Sequence, residues 1–463
     1  MKTKRMAFGL LVLSLLSCNF VTQIIVPPTA TPTSTFTPTA TATQTASPTP
    51  TPLVPAFIPP QCDASAPLAT IPPDIAIQPT PQFETKQISK RMQLRIVDEI
   101  EKIVEDSYVY PDFNGRDWNE ITRRYRAMIE SGLDTESFYF EMQNMINELG
   151  DEHSSFLSPV EVEQSEAELR GELKFVGVGV YSSVDFERGR IVVISTFPGS
   201  PAEYAGIQSH DSILLVDGVP ITRETGIRTL GPECTAVVLT VQSPGESPRD
   251  VMLVRSAIEG GIPIDARLVP TTDGSRIGYI FIPSFFDQTL PPQIENALRE
   301  FGELDGLILD VRLNGGGSSS VAYPILSFFA DGRLGDFVSR RDSRPLNIEA
   351  NPIHNSQTVP LVVMVSEETV SFGEIFAGVL RDARGAQITG ETSLGNVEVL
   401  HGYDFEDGSV MWIASETFDS AFSDEDWEET GIVPDIQAYA EWDTFYFETD
   451  PSITAALELL GHR

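Results

Sequence analysis

Between Ile277 and Tyr439 the chain alternates short apolar runs with helical stripes, and this alternation limits its possible folds more than any other feature. "RIGYIFIPSF" and "GLILDVR" read as strands, with a helical stripe of Ile294, Ala297, Leu298 and Phe301 between them. "VAYPILSFFADG" reads as a second helix. "LVVMV" then reads as a strand, "GEIFAGVLRDAR" as a helix and "AQITGE" as a short strand. "VEVLHGYDF" and "SVMWIASETF" flank "EDGS" as a hairpin. Such an order points to a layered α/β core.

The front of the chain is built differently. Lys2, Lys4 and Arg5 precede an apolar run, Met6–Leu16, too short for the ~20 residues of a membrane-spanning helix. This reads as a secretory signal. Its end, "LLSC" (Leu15–Cys18), resembles the bacterial lipobox, in which the Cys is diacylated. An ordinary cleaved signal is the alternative, and the Cys directly after a small residue favours the lipoprotein. No other stretch is long and apolar enough to span a membrane. "PTATPTSTFTPTATATQTASPTPTP" cannot bury a core and makes residues 19–82 an extended Thr/Pro-rich stalk. The net charge of −36 offers no basic surface for phosphates, which argues against nucleic-acid binding. Cys62 and Cys234 are the other two cysteines; outside the cytoplasm they can pair or stay as thiols. Two Cys and five scattered His do not suggest a metal site, and no cofactor is expected.

Residues 83–165 read as a helical cap. Ile96, Ile100, Ile103 and Val104 set the first stripe, Ile121, Tyr125, Met128 and Ile129 the second, and Phe138, Met142, Met145 and Leu149 the third. Residues 166–258 turn to short strands: "FVGVGV", "RIVVIST", "PGSPAEYAGIQSHDSILLVDG", "AVVLTV" and "DVMLVR". This stretch resembles a PDZ domain. The resemblance implies that backbone N–H groups of Val176, Gly177, Val178 and Gly179 receive a peptide's C-terminal carboxylate, with the peptide added as a strand. A PDZ domain that only packs on its neighbour is the alternative.

Three motifs in residues 259–463 carry a wider resemblance. "GLILDVRLNGGGSS", "ETVSFGEIFAGVL" and "GIVPDI", behind a helical cap and a PDZ-like domain, resemble the C-terminal processing and tail-specific proteases, a serine peptidase group that includes the tricorn-type enzymes. The resemblance implies an α/β multidomain protein with a crotonase-like protease core. It places the nucleophile on Ser371, at a helix N-terminus where free N–H groups stabilise developing negative charge. Phe372 N–H and a donor from the glycine turn, assigned to Gly316, would form the oxyanion hole. A serine before a helix is otherwise an N-cap.

The base is the open question. The Ser-Lys branch carries a lysine twenty-five residues after the serine; here that position is Asn396, and no lysine follows Lys174. Asn does not titrate. "LGDEHSSF" and "WEETGIVPD" instead match the tricorn-like branch, which implies His153 as base and Glu428 as its orienting carboxylate, with Glu429 competing. His401 is the reserve base; His210, His354 and His462 read as solvated. The chain is therefore expected to be an exported, membrane-tethered serine endopeptidase that recognises C-terminal tails of peptides or proteins. A catalytically inactive pseudoprotease, acting as a peptide-binding cell-envelope lipoprotein, is the alternative; a purely structural envelope protein is a third. If Cys18 carries the lipid, Cys18→Ala releases the protein from membranes washed in high salt, because two or more acyl chains are what anchors firmly.

Overall fold

The computed structural model describes residues 53–63, 65, 68–70, 86–151, 153–171, 174–223 and 225–462. The signal segment with Cys18 and the Thr/Pro tract lie outside the described residues. The expected stalk over 19–82 reaches too far. Cys62 is disulfide-bonded to Cys234, Ala69–Thr70 pairs in parallel with Thr235–Ala236, and Phe57 stacks on Tyr204 at 4.1 Å. A covalent link and backbone pairing hold a segment whose composition buries little.

In the cap, Ser89, Asp117 and Asp134 accept first-turn N–H groups of the helices Lys90–Ser107, Trp118–Ser131 and Thr135–Asn147. Their apolar faces meet through Ile96, Ile100, Tyr125, Ile129, Phe138 and Met142. The cap does not close this core alone: Phe405, Met411, Ile413 and Ala414, from a hairpin far along the chain, complete it. A short strand, Ser155–Leu157, also pairs with Val410–Trp412. The helix Pro159–Leu169 runs through the expected boundary at 165.

The PDZ-like unit has its own sheet and core, with Val193, Ile213, Val237 and Leu239 among the fully buried residues. A two-stranded ladder of Lys174–Gly177 with Ser256–Glu259 lies at its root. His210, expected to be solvated, is buried. Its Nδ1 lies 2.6 Å from the Trp442 carbonyl and its ring stacks on Trp442, so a side chain in a turn serves instead to pack the two domains together.

The main core is a six-stranded sheet in the order Ala266–Val269, Ile277–Phe281, Gly306–Asp310, Leu361–Val365, Gln387–Gly390, Ile436–Gln437. All but the first pair are parallel. The second, third and fourth of these strands are buried at every position, as a sheet covered on both faces requires. Helices Leu290–Phe301, Ser319–Ser327 and Phe372–Arg384 cover one face; Ile453 and Ala456 of the helix Pro451–Leu459 cover part of the other. The expected hairpin is present as Val399–Asp404 and Val410–Ser420. It continues into Gly332–Val338 and Ser343–Ile348, a pair the alternation did not announce.

Arg312 ties the far face together. Its guanidinium forms paired hydrogen bonds with Asp450, at 2.6 and 3.2 Å, and also reaches Asp310 at 2.7 Å, all three groups being buried. Tyr279 donates to Asp310 at 2.8 Å, and Trp442 and Phe445 lie against the guanidinium. Removing the cation leaves two buried carboxylates uncompensated. Arg312→Leu is therefore expected to destabilise the core by about 3–5 kcal/mol, read as a lower denaturant midpoint.

Candidate active site

Three adjacent parallel strands end at one place. Gly306–Asp310 leads into Gly315–Gly317, Leu361–Val365 into Ser371, and Gln387–Gly390 into Asn396. The carboxyl ends of such strands are where open α/β sheets hold their reactive groups. Ser371 precedes the helix Phe372–Arg384 with φ +57° and ψ −124°, a conformation uncommon for a residue with a side chain. Its N–H donates to the Asn396 carbonyl at 2.9 Å.

Gly316 faces Ser371 so closely that a Cβ there would lie 2.7 Å from Ser371 Cβ and 3.0 Å from the Val370 carbonyl. The glycine is a requirement of space. Its N–H, assigned above to an oxyanion, instead donates to Asn314 Oδ1 at 2.9 Å. Asn314 is itself fixed by donating to the Ile282 carbonyl at 3.1 Å. Phe372 N–H, in the first turn of the helix, meets no acceptor among the described residues.

Glu374 joins the nucleophile turn to the Asn396 segment. Its buried carboxylate accepts from Ser393 Oγ (2.6 Å), Gly395 N–H (2.7 Å), Asn396 N–H (2.9 Å) and Ser371 N–H (3.2 Å). Burial pushes its pKa up, and the four donors oppose that rise. "SFGE" carries the spacing of a capping box, which was the available signal for this residue.

His153 sits in a turn held by Asp151, whose carboxylate accepts from the N–H groups of His153 (3.0 Å) and Ser154 (2.8 Å). Ser154 Oγ accepts from Ala414 N–H at 3.0 Å, which locks the turn onto the core hairpin. The carboxylate against the imidazole is Glu398, with Oε2 3.7 Å from Nδ1. Glu428 was expected there. Its Oε2 accepts from Val397 N–H at 2.7 Å, and its carboxyl meets Glu398 rather than the ring. Tyr110 donates to the other oxygen of Glu398 at 2.7 Å. Burial and the Glu398 charge push Glu428 up to about 8. Burial also raises Glu398, but the neighbouring His153 ring, Tyr110 and Glu428 hold it below its ordinary value. Glu398 stands two residues after Asn396, and both side chains are buried. Glu429 is exposed in a helical turn capped by Asp426, to which its N–H donates at 3.4 Å. His401 is half-exposed with Nε2 3.0 Å from Glu416, which also holds Arg344. His462 pairs with Asp273 at 2.9 Å, and His354 is exposed.

In the PDZ-like unit the strand Val180–Asp185 stands at the end of the sheet's order among the described residues and pairs with Arg190–Thr196. Val176 and Gly177 lie in the ladder at its root, Gly177 also forms an antiparallel bridge with Leu230, and the Gly179 N–H meets no acceptor among the described residues. Gly179, at φ +84°, has room for no Cβ, which would lie 2.2 Å from Ser200 Cβ. A bulky residue there disrupts the turn before it can obstruct a ligand.

The family model of peptidase family S41 matches residues 276–438, that of the tricorn protease C1 domain residues 96–149, and that of the PDZ domain residues 165–225. A carboxyl-terminal-processing protease from Picosynechococcus is 30% identical over 373 residues, which cover 78% of this chain and 87% of that protein. Its counterpart from Synechocystis is 29% identical over 370 residues, covering 78% and 84%. The structure of a photosystem II D1 C-terminal processing protease aligns with a TM-score of 0.51 at 25% identity, over 74% of this chain and 92% of that one. An S41 protease structure from Bacteroides fragilis, 16% identical with a TM-score of 0.53 over 78% of this chain and 97% of its own, shares the fold.

Glu374→Gln turns an amide donor toward donors. It is expected to cost about 1–3 kcal/mol of core stability and to speed amide hydrogen exchange at Gly395 and Asn396.

Proposed function

Since the chain belongs to the carboxyl-terminal-processing serine peptidases of family S41, we propose that this serine-type peptidase cleaves within peptides by acyl transfer from Ser371, with His153 as its base. The carrying observation is the convergence of Ser371, Gly316 and Asn396 on adjacent strand ends, joined through Asn396–Glu398 to His153. The reaction then runs as follows. His153 takes the Ser371 Oγ proton as Oγ bonds to the scissile carbonyl carbon. Phe372 N–H stabilises the oxyanion, and Gly316 leaves room for it. The imidazolium returns the proton to the leaving amine as the C–N bond breaks. A water deprotonated by His153 then hydrolyses the acyl-enzyme and regenerates the serine.

The place of Val180–Asp185 at the end of its sheet's strand order, and the Gly179 N–H without an acceptor among the described residues, support capture of a C-terminal tail by strand addition. The lipobox-like "LLSC" supports export and anchoring through Cys18. Among the described residues, no helix is long and apolar enough to cross a membrane. The inactive peptide-binding alternative has less support, since the relatives compared above are named as proteases.

The test is labelling by a fluorophosphonate probe together with hydrolysis of an unstructured peptide. Wild type is expected to label, and Ser371→Ala to lose both label and hydrolysis with its fold intact. His153→Ala is expected to lower kcat by roughly 10²–10⁴. Asn396→Lys in the His153→Ala background is not expected to restore the rate, since an added amine serves as a base only once desolvation has lowered its pKa. A Ser371→Ala variant that cleaves at the wild-type rate overturns the assignment.

A further inference from the structure

We propose that Glu398, not Glu428, is the positioning carboxylate of His153, and that Glu428 steadies Glu398 as a neutral acid hydrogen-bonded to it. The inference rests on the reading of Ser371 and His153 given above, and it changes what stands behind the base.

Geometry carries it. Glu398 Oε2 is the carboxylate oxygen within 4 Å of the imidazole, at 3.7 Å from Nδ1. Both atoms are buried, and neither has a hydrogen-bond partner among the described residues. Two orphaned buried atoms facing each other close into a charge-assisted hydrogen bond when the ring gains its proton. Separations at catalytic groups are often long before substrate binds. Glu398's other oxygen is held by Tyr110 Oη at 2.7 Å, so the carboxylate has one side fixed and one side offered to the ring.

Glu428 approaches from behind. Its backbone lies in the helical turn Trp427–Thr430, and its side chain receives the Val397 N–H, the residue directly before Glu398. No lysine or arginine forms an ion pair with either glutamate among the described residues. Two buried carboxyl groups in contact, without a cation, cannot both keep a charge. One proton between them resolves this, and Glu398, facing the imidazole and the Tyr110 hydroxyl, is the side on which the charge is stabilised. The other groups around the pair favour the same partition. Glu374 lies on the Glu428 side and disfavours a second charge there. Asp151 and Tyr108, on the His153 side, are engaged with each other and with the turn that carries the ring. The rise of Glu428 to about 8 agrees with this arrangement.

The experiment compares pH–rate profiles of the full chain for wild type, Glu398→Gln, Glu428→Gln and His153→Ala, on one unstructured peptide. Gln in place of Glu428 mimics the neutral acid. That variant is expected to stay within about twofold of wild type near neutrality, and to keep its rate as pH rises through about 8. Wild type is expected to lose rate there, because Glu428 gives up its proton and the second charge displaces Glu398. Glu398→Gln is expected to lower kcat and leave KM unchanged. The loss is expected to be at least about tenfold and up to ~10⁴-fold, the scale for neutralising the carboxylate behind a catalytic imidazole. Its acid limb is expected to move to lower pH, since removing a negative neighbour makes the imidazolium less stable. A merely structural glutamate would leave that limb in place.

If Glu428→Gln takes the loss and the limb shift while Glu398→Gln keeps both, the assignment is overturned. If Glu398→Gln matches wild type while His153→Ala is inactive, this inference falls and the base assignment stands. If His153→Ala itself keeps its rate, the base assignment falls and takes this inference with it. Should Glu398→Gln fail to fold, Tyr110→Phe removes one donor from Glu398 and no charge; it must lower kcat at constant KM, and an unchanged kcat overturns the proposal.

Discussion

The site depends on one carboxylate accepting four hydrogen bonds. Glu374 stands in the first turn of the helix that follows Ser371, where a negative charge is favoured by the helix dipole. Its two oxygens receive donors from both the nucleophile turn and the loop Ser393–Asn396. Ser371 can hold a positive φ because its N–H is fixed on that loop's carbonyl and on Glu374. The same loop runs on to Glu398, which faces the imidazole. Nucleophile geometry and base geometry thus share a single anchor, buried where water cannot compete for it.

Around this anchor the protein uses two polar clamps of different kinds. Arg312 with Asp310 and Asp450 is a cluster of one cation held between two carboxylates that fixes the C-terminal helix to the sheet. It lies two residues before Asn314, whose amide shapes the glycine turn opposite Ser371. Glu398 with Glu428 has no ion pair to lysine or arginine among the described residues, and in the proposal above a proton takes the place of the cation.

Much of this order was legible in the sequence. Strand–helix alternation gave the core, and helical stripes gave the cap, because burial on one face or two leaves a period that can be counted. Ser371, Gly316 and His153 stood out as candidates because motif and local chemistry agreed. What escaped had physical reasons. Ser343–Ile348 is an exposed edge strand with Pro345 inside it, so it lacks both alternation and apolar content. Ala69–Thr70 is held by a nearby disulfide and a two-residue pairing, neither of which leaves a pattern. Glu398 was missed because its role arises from a fold-back between residues far apart: the extended segment after Asn396 brings it to a ring in the cap. Glu428 was expected at the imidazole from the resemblance carried by "WEETGIVPD", and such a motif does not report which of two neighbouring carboxyl groups lies in front.

The cap's apolar core is finished by Phe405, Met411, Ile413 and Ala414, and its short strand pairs with Val410–Trp412. This has a consequence for the order of events during synthesis. The cap helices are made first, yet their shared interior stays open until more than half of the chain has followed. Contacts of such sequence separation form late, since the loop between them must close first. The turn carrying His153 therefore docks only after the hairpin beside Ser371 exists. Under the assignment proposed above, a chain caught partway through translation holds Ser371 without His153 in place, so the fold itself delays the onset of cleavage until the hairpin is made.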